Sequence, residues 1–128
     1  MKWLFFLLLS LSIFLNASDV KSLNITKLDK YLSLNGIVVD IRSKQIQEKT
    51  GVIPESYKLP LIKNDEKSLK IWKFKLLKIL KSAKRSFLIV DEDGTNSKKL
   101  AQRLKKDGFI QAIYLKGGFD NWKNNNTK

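Results

Sequence analysis

The 128-residue sequence contains no cysteine and no histidine. The absence of cysteine excludes disulfide bonds and thiolate nucleophiles, and the absence of histidine excludes imidazole acid-base catalysis. Proline and glycine are scarce, with 2 and 6 residues, so few positions interrupt helices and strands. A hydrophobic content of 43% with 29% charged residues is typical of one globular domain held together by an apolar core.

The longest apolar stretch lies near the N-terminus, in residues 3–15, and follows Lys2. This arrangement is typical of a signal peptide, because a membrane-spanning helix needs about 20 apolar residues. We therefore predict a signal peptide over residues 1–17 and a domain over residues 18–128. An uncleaved N-terminal anchor and a buried core helix stay open as alternatives. Signal peptide and anchor both predict a periplasmic or otherwise exported protein.

Positive charge predominates, since 25 Lys and Arg stand against 12 Asp and Glu and give a formal net charge of +13. Such an excess favours anionic partners, either an acidic protein or a membrane surface. Nucleic acid is not an expected partner of an exported protein. The predicted helix Glu66–Lys81 has lysines opposite its apolar face, and Ile71 and Phe74 lie within that basic face. This helix is therefore a candidate for contact with an anionic membrane surface.

Strand and helix patterns alternate along the rest of the chain. Apolar, β-branched segments predict strands over residues 22–25, 37–41, 57–61, 87–90 and 112–115. A capping box at Thr26 predicts the start of one helix. Helical periods predict three more, over residues 66–81, 97–106 and 118–122, and a frayed tail follows. This alternation predicts an α/β fold with a parallel sheet covered on both faces, in which ligands bind at the carboxyl ends of the strands.

Four segments, in order, resemble the rhodanese-like family: residues 38–42, 51–60, 87–97 and 108–122. The resemblance covers nearly the whole predicted domain. It implies a five-stranded parallel sheet in a three-layer α/β/α arrangement. It also implies a structural motif whose members are Asp40, Arg42, Gly51, Ile53, Pro54, Pro60, Gly117, Gly118 and Trp122.

The segment 91–97 resembles the family's active-site loop, in which a cysteine of active members opens a loop around the transferred sulfur or a bound anion. It reads Asp91-Glu92-Asp93-Gly94-Thr95-Asn96-Ser97. Asp91 takes the position of that cysteine, and a carboxylate cannot carry a persulfide. We therefore predict no catalytic residue for sulfur transfer and no cofactor. We also predict that the acidic side chains cap the loop's own N–H groups and fill the anion pocket.

The same acidic loop has other interpretations. Asp91 to Thr95 after an apolar strand also resembles the first motif of haloacid-dehalogenase-type phosphatases, although no adjacent acidic pair follows Thr95. Weak Mg²⁺ or Ca²⁺ binding by Asp91 and Asp93, without catalysis, is a further alternative. Three functions therefore remain: a non-catalytic module that binds a surface or an unidentified protein, with an acidic protein as one candidate; a metal-dependent enzyme; and a surface-associated protein. A sulfurtransferase name would record ancestry alone.

Overall fold

A computed structural model describes residues 19–127, and the predicted signal peptide over residues 1–17 lies outside the described residues. The strands and helices in chain order are β1 (Ser22–Leu23), a 3₁₀ helix (Ile25–Lys27), α1 (Leu28–Ser33), β2 (Val38–Asp40), α2 (Lys44–Thr50), β3 (Tyr57–Lys58), α3 (Glu66–Leu80), β4 (Phe87–Val90), α4 (Thr95–Lys106), β5 (Ala112–Leu115) and α5 (Gly118–Asn126). No helix within residues 19–127 is long and apolar enough to cross a membrane.

The five strands form one parallel sheet in the order β1-β5-β4-β2-β3. Helices α3 and α4 pack on one face and are called the α3–α4 layer below, whereas α1 and α5 pack on the other face. The predicted α/β class, with five parallel strands between two helical layers, is confirmed. Both apolar clusters of the described residues lie within residues 20–122.

The central strand β4 shows why a continuously apolar sequence forms a strand here. Phe87 and Ile89 pack into the core beneath the α3–α4 layer. Leu88 and Val90 pack into the opposite core beneath α1 and α5. Because successive side chains of a strand point to opposite faces, a strand buried on both sides needs apolar residues at every position.

Helix α3 follows the sequence prediction closely. It begins after Asp65, whose side chain accepts a hydrogen bond from the Ser68 N–H at 2.8 Å, and it ends one residue before the predicted Lys81. Trp72 lies in the core and donates its indole N–H to the Leu59 carbonyl at 2.8 Å. This bond ties the helix to the segment that follows β3.

Three local predictions need correction. The capping box at Thr26 is wrong, because Asn24 is the residue that caps, its side chain accepting the Thr26 N–H at 3.1 Å. The frayed tail is also wrong, because α5 continues through Asn126. Helix α4 begins two residues earlier than predicted, at Thr95. Helix α2 was not predicted at all.

Candidate functional site

The candidate site lies at the carboxyl ends of β2 and β4, which are neighbours in the sheet. Strand β3 joins the outer side of β2, and β5 joins the far side of β4. The order of strands therefore reverses between β2 and β4, and this reversal opens a crevice in parallel α/β sheets. Asp40 ends β2, and Asp91 directly follows β4.

Asp91 is 2% exposed, and its carboxylate accepts hydrogen bonds from the loop that it opens. The Oδ1 atom accepts the Gly94 N–H at 2.7 Å and the Ser97 hydroxyl at 2.8 Å. The Oδ2 atom accepts the Asn96 N–H at 2.8 Å. Because these donors belong to the loop and the first turn of α4, the carboxylate lies where the helix dipole favours negative charge. The predicted capping by Asp91 is thus observed.

The next two acidic residues differ from Asp91 and from each other. Burial raises the pKa of Glu92, and the negative charge of Asp91 raises it further. Asp93 is exposed, and its Oδ1 atom accepts the Thr95 N–H at 2.9 Å. Hydrogen bonding to Thr95 lowers the pKa of Asp93. The negative charge of Glu92 is therefore less stabilised than that of Asp93.

The backbone of this loop lies against the beginning of α5. The Phe119 N–H donates to the Asp91 carbonyl at 2.8 Å, and the Asp120 N–H donates to the Glu92 carbonyl at 3.0 Å. A Cβ atom on Gly118 would lie 2.5 Å from the Glu92 carbonyl oxygen, and Gly118 has a φ of 64°. Glycine is required here because the two backbones approach each other too closely for a side chain.

Asp40 lies on the other side of the crevice and is neutralised by a cation. The Arg42 guanidinium donates from Nη2 to Asp40 Oδ2 at 2.8 Å, and both side chains are 1% exposed. Arg42 also donates to the Gly51 carbonyl at 2.8 Å and to the Thr50 hydroxyl at 3.0 Å. Its Cζ atom lies 3.7 Å from the centre of the Phe119 ring. Arg42 thereby connects β2, the end of α2 and α5.

The remaining motif residues lie around this centre. Ile53 is fully buried in the core beneath α1 and α5, whereas Pro54 is exposed and Pro60 is half-buried. Trp122 packs against Phe119 with 5.4 Å between ring centres. Thr95 and Asn96 are exposed at the start of α4, and Gly117 adopts a φ of 80°.

Sequence reasoning missed two residues that hold the Asp40–Arg42 pair, Gln47 and Thr50, because it missed helix α2. The Gln47 side-chain amide donates to the Asp40 carbonyl at 3.0 Å. The signals for α2 were present: Ser43 accepts the Ile46 N–H as an N-cap, and Gly51 ends the helix. A serine cap, a polar helical stretch and a terminal glycine would have predicted this helix.

A cavity of about 500 Å³ adjoins the loop. Apolar and charged side chains line this cavity, among them Ile41, Ile46, Leu61, Leu69, Leu100, Arg42, Glu92, Asn96, Lys99 and Arg103. Asp91 also borders this cavity, yet its two oxygen atoms accept hydrogen bonds from the protein. A ligand at the loop would therefore meet the Asp91 carboxylate in place of the Gly94 and Asn96 N–H donors, and the cations that line the cavity are side chains, those of Arg42, Lys99 and Arg103.

The predicted alternative of a metal site was Asp91 with Asp93. Within residues 19–127, no group of three or more acidic side chains lies close enough together to hold a metal ion. Both Asp91 oxygens accept loop donors, and Asp93 is exposed and accepts the Thr95 N–H. A metal ion at Asp91 would therefore have only the remaining lone pair of Oδ2, because Oδ1 already accepts two hydrogen bonds.

Fold and site together define a three-layer parallel α/β domain. The loop after its central strand β4 binds the carboxylate of its own residue Asp91. The family model described as "Rhodanese-like domain" matches residues 24–125. The chain therefore belongs to the rhodanese-like family. Comparison with curated proteins gave no significant match.

Three solved structures illustrate the likeness. A protein from Staphylococcus saprophyticus is 23% identical, with a TM-score of 0.62 over 80% of this chain and 93% of that one. A rhodanese-related protein from Thermoplasma volcanium is 20% identical, with a TM-score of 0.64 over 82% and 92%. A rhodanese homolog from Thermus thermophilus is 25% identical, with a TM-score of 0.53 over 77% and 97%. At these identities the likenesses show the fold alone.

Proposed function

We propose that this chain is an exported rhodanese-like domain that does not transfer sulfur and acts by binding another molecule. The observation that carries the proposal is the carboxylate of Asp91. It occupies the loop at the position that the family resemblance assigns to a cysteine, and it accepts the Gly94 N–H, the Asn96 N–H and the Ser97 hydroxyl.

Two chemical consequences support this proposal. Sulfur transfer needs a nucleophile that can form a persulfide, and the sequence contains no cysteine. An anionic substrate needs unoccupied donors, and the Asp91 carboxylate both engages those donors and repels a second negative charge. The loop therefore lacks the nucleophile and also the attraction for thiosulfate. Recognition of a partner is the role that such a domain retains.

Export is the second part of the proposal. It rests on Lys2 and the apolar residues 3–15, which have the order and length of a signal peptide. N-terminal sequencing of protein recovered from the periplasm of an expressing bacterium tests it. A mature chain beginning at Ser18 would support the cleaved form. An intact N-terminus in the membrane fraction would favour the uncleaved anchor, and recovery in the cytoplasm would overturn export.

The inactive loop is tested by assaying sulfur transfer from thiosulfate to cyanide, together with a thermal-shift titration. The titrated ligands are thiosulfate, phosphate, Mg²⁺ and Ca²⁺, because a ligand that binds only the folded state raises its melting temperature. We expect no sulfur transfer and no shift with either anion. Sulfur transfer above the rate without protein would overturn the proposal.

The matched variant is Asp91→Ala, which removes the carboxylate and leaves the Gly94, Asn96 and Ser97 donors in place. We expect this variant to be stabilised by thiosulfate or phosphate where the parent protein is not, since a helix N-terminus with free donors binds anions. Asp93→Ala is the control, because it removes a neighbouring acid that does not fill the loop. An anion response in the parent protein would show that Asp91 does not close the site.

A further inference from the structure

The net charge of the domain is confined to one side. Segments 63–85 and 95–107, which contain α3, α4 and their flanking turns, hold fourteen Lys and Arg against three Asp and Glu. The other residues of 19–127 hold nine of each sign. The α3–α4 layer therefore carries the whole positive excess of the described residues, and the rest of the domain is formally neutral.

The outward side of α3 combines this charge with exposed apolar side chains. Ile71 is 51% exposed and Phe74 is 62% exposed. The lysines beside them are also exposed: Lys67, Lys70, Lys75, Lys78 and Lys81. None of these five takes part in an ion pair within residues 19–127, whereas Lys73 is paired with Asp107 at 3.0 Å. Lysines without acidic partners, with apolar residues between them, are typical of helices that lie on a membrane surface.

The type of basic residue favours a lipid surface over a partner of fixed shape. Segment 63–85 contains eight lysines and one arginine. Arginine presents a planar fork that matches one carboxylate or phosphate geometry, whereas lysine is a flexible point charge. A fluid layer of anionic headgroups offers charge without fixed geometry, and lysine is sufficient for such a partner.

The path of the chain brings the N-terminal segment to the same layer. Val20 packs against the core beneath α3 and α4, and Lys105 of α4 donates to the Asp19 carbonyl at 2.6 Å. The described residues therefore begin at the α3–α4 layer, where the preceding sequence is joined to Asp19. That sequence includes the apolar residues 3–15, so an uncleaved anchor would bring this layer towards the bilayer.

We propose that the outer side of α3 binds an anionic membrane surface, with Ile71 and Phe74 among the headgroups and the five lysines facing anionic lipid. This inference deepens the proposed binding role, but it uses a surface separate from the Asp91 loop. Its failure would leave the sulfur-transfer result unchanged, and activity in that assay would leave the lipid result unchanged.

Vesicle flotation with residues 18–128 tests the inference, because this segment contains both apolar clusters and lacks the apolar N-terminal stretch. Vesicles contain either phosphatidylcholine alone or phosphatidylcholine with about one third phosphatidylglycerol. We expect binding to the anionic vesicles at about 0.1 M salt and loss of binding at about 1 M salt, where charges are screened within a few ångströms. Absence of binding to anionic vesicles at the lower salt concentration would overturn the proposal.

Two pairs of variants locate the surface. The triple variant Lys70→Glu, Lys75→Glu and Lys78→Glu should weaken binding at least about 100-fold, because each surface lysine contributes about five-fold. The matched control Lys30→Glu, Lys49→Glu and Lys123→Glu changes the net charge equally outside this layer, and should weaken binding less than about ten-fold.

Phe74→Ser should weaken binding about ten-fold, whereas Leu34→Ser, at another exposed apolar residue, should have no effect.

Equal losses in the two triple variants would show attraction by net charge alone and would overturn a site on α3. Soluble polyglutamate provides the test for an acidic protein partner. If polyglutamate displaces the protein from vesicles and Phe74→Ser binds as well as the parent, the surface recognises acidic protein, and the lipid proposal is wrong.

Discussion

Two buried carboxylates lie on either side of the crevice, and the protein neutralises them differently. Asp40 is 1% exposed and is paired with the full positive charge of Arg42. Asp91 is 2% exposed and accepts two backbone N–H groups and one hydroxyl. The first is a closed ion pair that connects three elements. The second is a charge held by neutral dipoles beside a cavity of about 500 Å³.

This difference separates a structural carboxylate from one that fills a binding loop. A buried ion pair is stable only while both partners remain, because either partner alone is an uncompensated buried charge. Backbone N–H groups at a helix N-terminus, by contrast, can donate to a small anion or to water in place of a carboxylate. The two sites should therefore respond differently to loss of a partner.

The largest expected effect is that of Arg42→Met, which leaves Asp40 buried without its cation. We expect a loss of about 3–5 kcal/mol in the free energy of unfolding, measured by chemical denaturation. Arg103→Met is the control, because Arg103 forms a surface pair with Glu66 and its removal should have a much smaller effect. If Arg42→Met does not fold, Arg42→Lys should fold with intermediate stability. Equal stability of the Arg42 and Arg103 variants would contradict the comparison.

The second effect is that of Asp91→Ala, which removes the acceptor of three hydrogen bonds. We expect a smaller loss, of about 2 kcal/mol, because water from the adjacent cavity can reach the freed donors. Chemical denaturation with and without phosphate gives the measurement, and phosphate should restore part of the loss. A loss as large as that of Arg42→Met, without recovery in phosphate, would mean that the two carboxylates are equivalent structural groups.

The third effect isolates one hydrogen bond of the Asp91 site. Ser97→Ala removes the hydroxyl donated to Asp91 at 2.8 Å, and we expect a loss of about 1–2 kcal/mol because the acceptor is charged. Ser56→Ala is the matched control, since the Ser56 hydroxyl oxygen is buried without a hydrogen-bond partner among residues 19–127. Thermal unfolding of the two variants should separate them. A larger loss for Ser56→Ala would contradict the assignment.

The smallest effect concerns the pH dependence of Glu92, whose pKa is raised by burial and by the charge of Asp91. Its ionisation therefore destabilises the fold once the pH exceeds its ordinary pKa of 4.5, and the effect is complete above its raised folded pKa. Glu92→Gln should gain about 0.5 kcal/mol or less at pH 7, because water screens the site. The gain should vanish below about pH 4.

Asp93→Asn is the control for this pH dependence, because the pKa of Asp93 is lowered by its hydrogen bond from Thr95. Its charged form stabilises the fold above its ordinary pKa, so the variant should be less stable than the parent at pH 7. The difference should disappear as the pH falls through the folded pKa. Denaturation curves from pH 3 to pH 7 give the stability of each variant relative to the parent. If Glu92→Gln and Asp93→Asn changed stability in the same direction, the opposite pKa shifts of Glu92 and Asp93 would be contradicted.

Much of the fold was predictable because it follows from local pattern. The strands β4 and β5 and the helix α3 have unbroken apolar or helical periods, and their predicted bounds agree with the structure within one residue. Helix α2 was missed because it contributes one buried residue, Gln47, and so lacks an apolar stripe. The extension of α5 to Asn126 was missed because its last turn, Asn124 to Asn126, is polar and exposed.

The sequence by itself determined the absence of thiol chemistry, the parallel α/β class and the acidic character of the loop, because composition and period report these directly. Tertiary structure decided how deeply each acid is buried and what surrounds it. Asp40, Asp91 and Glu92 have the same functional group, yet one is paired with Arg42, one accepts loop N–H groups and one has a raised pKa. The direct partners of Asp40 and Asp91 are close in sequence, but the groups that hold those partners come from more distant segments: Gly51 and Phe119 hold Arg42, and the Phe119 N–H holds the Asp91 backbone. The charge asymmetry is likewise a property of packing, because the sheet places α3 and α4 side by side on one face.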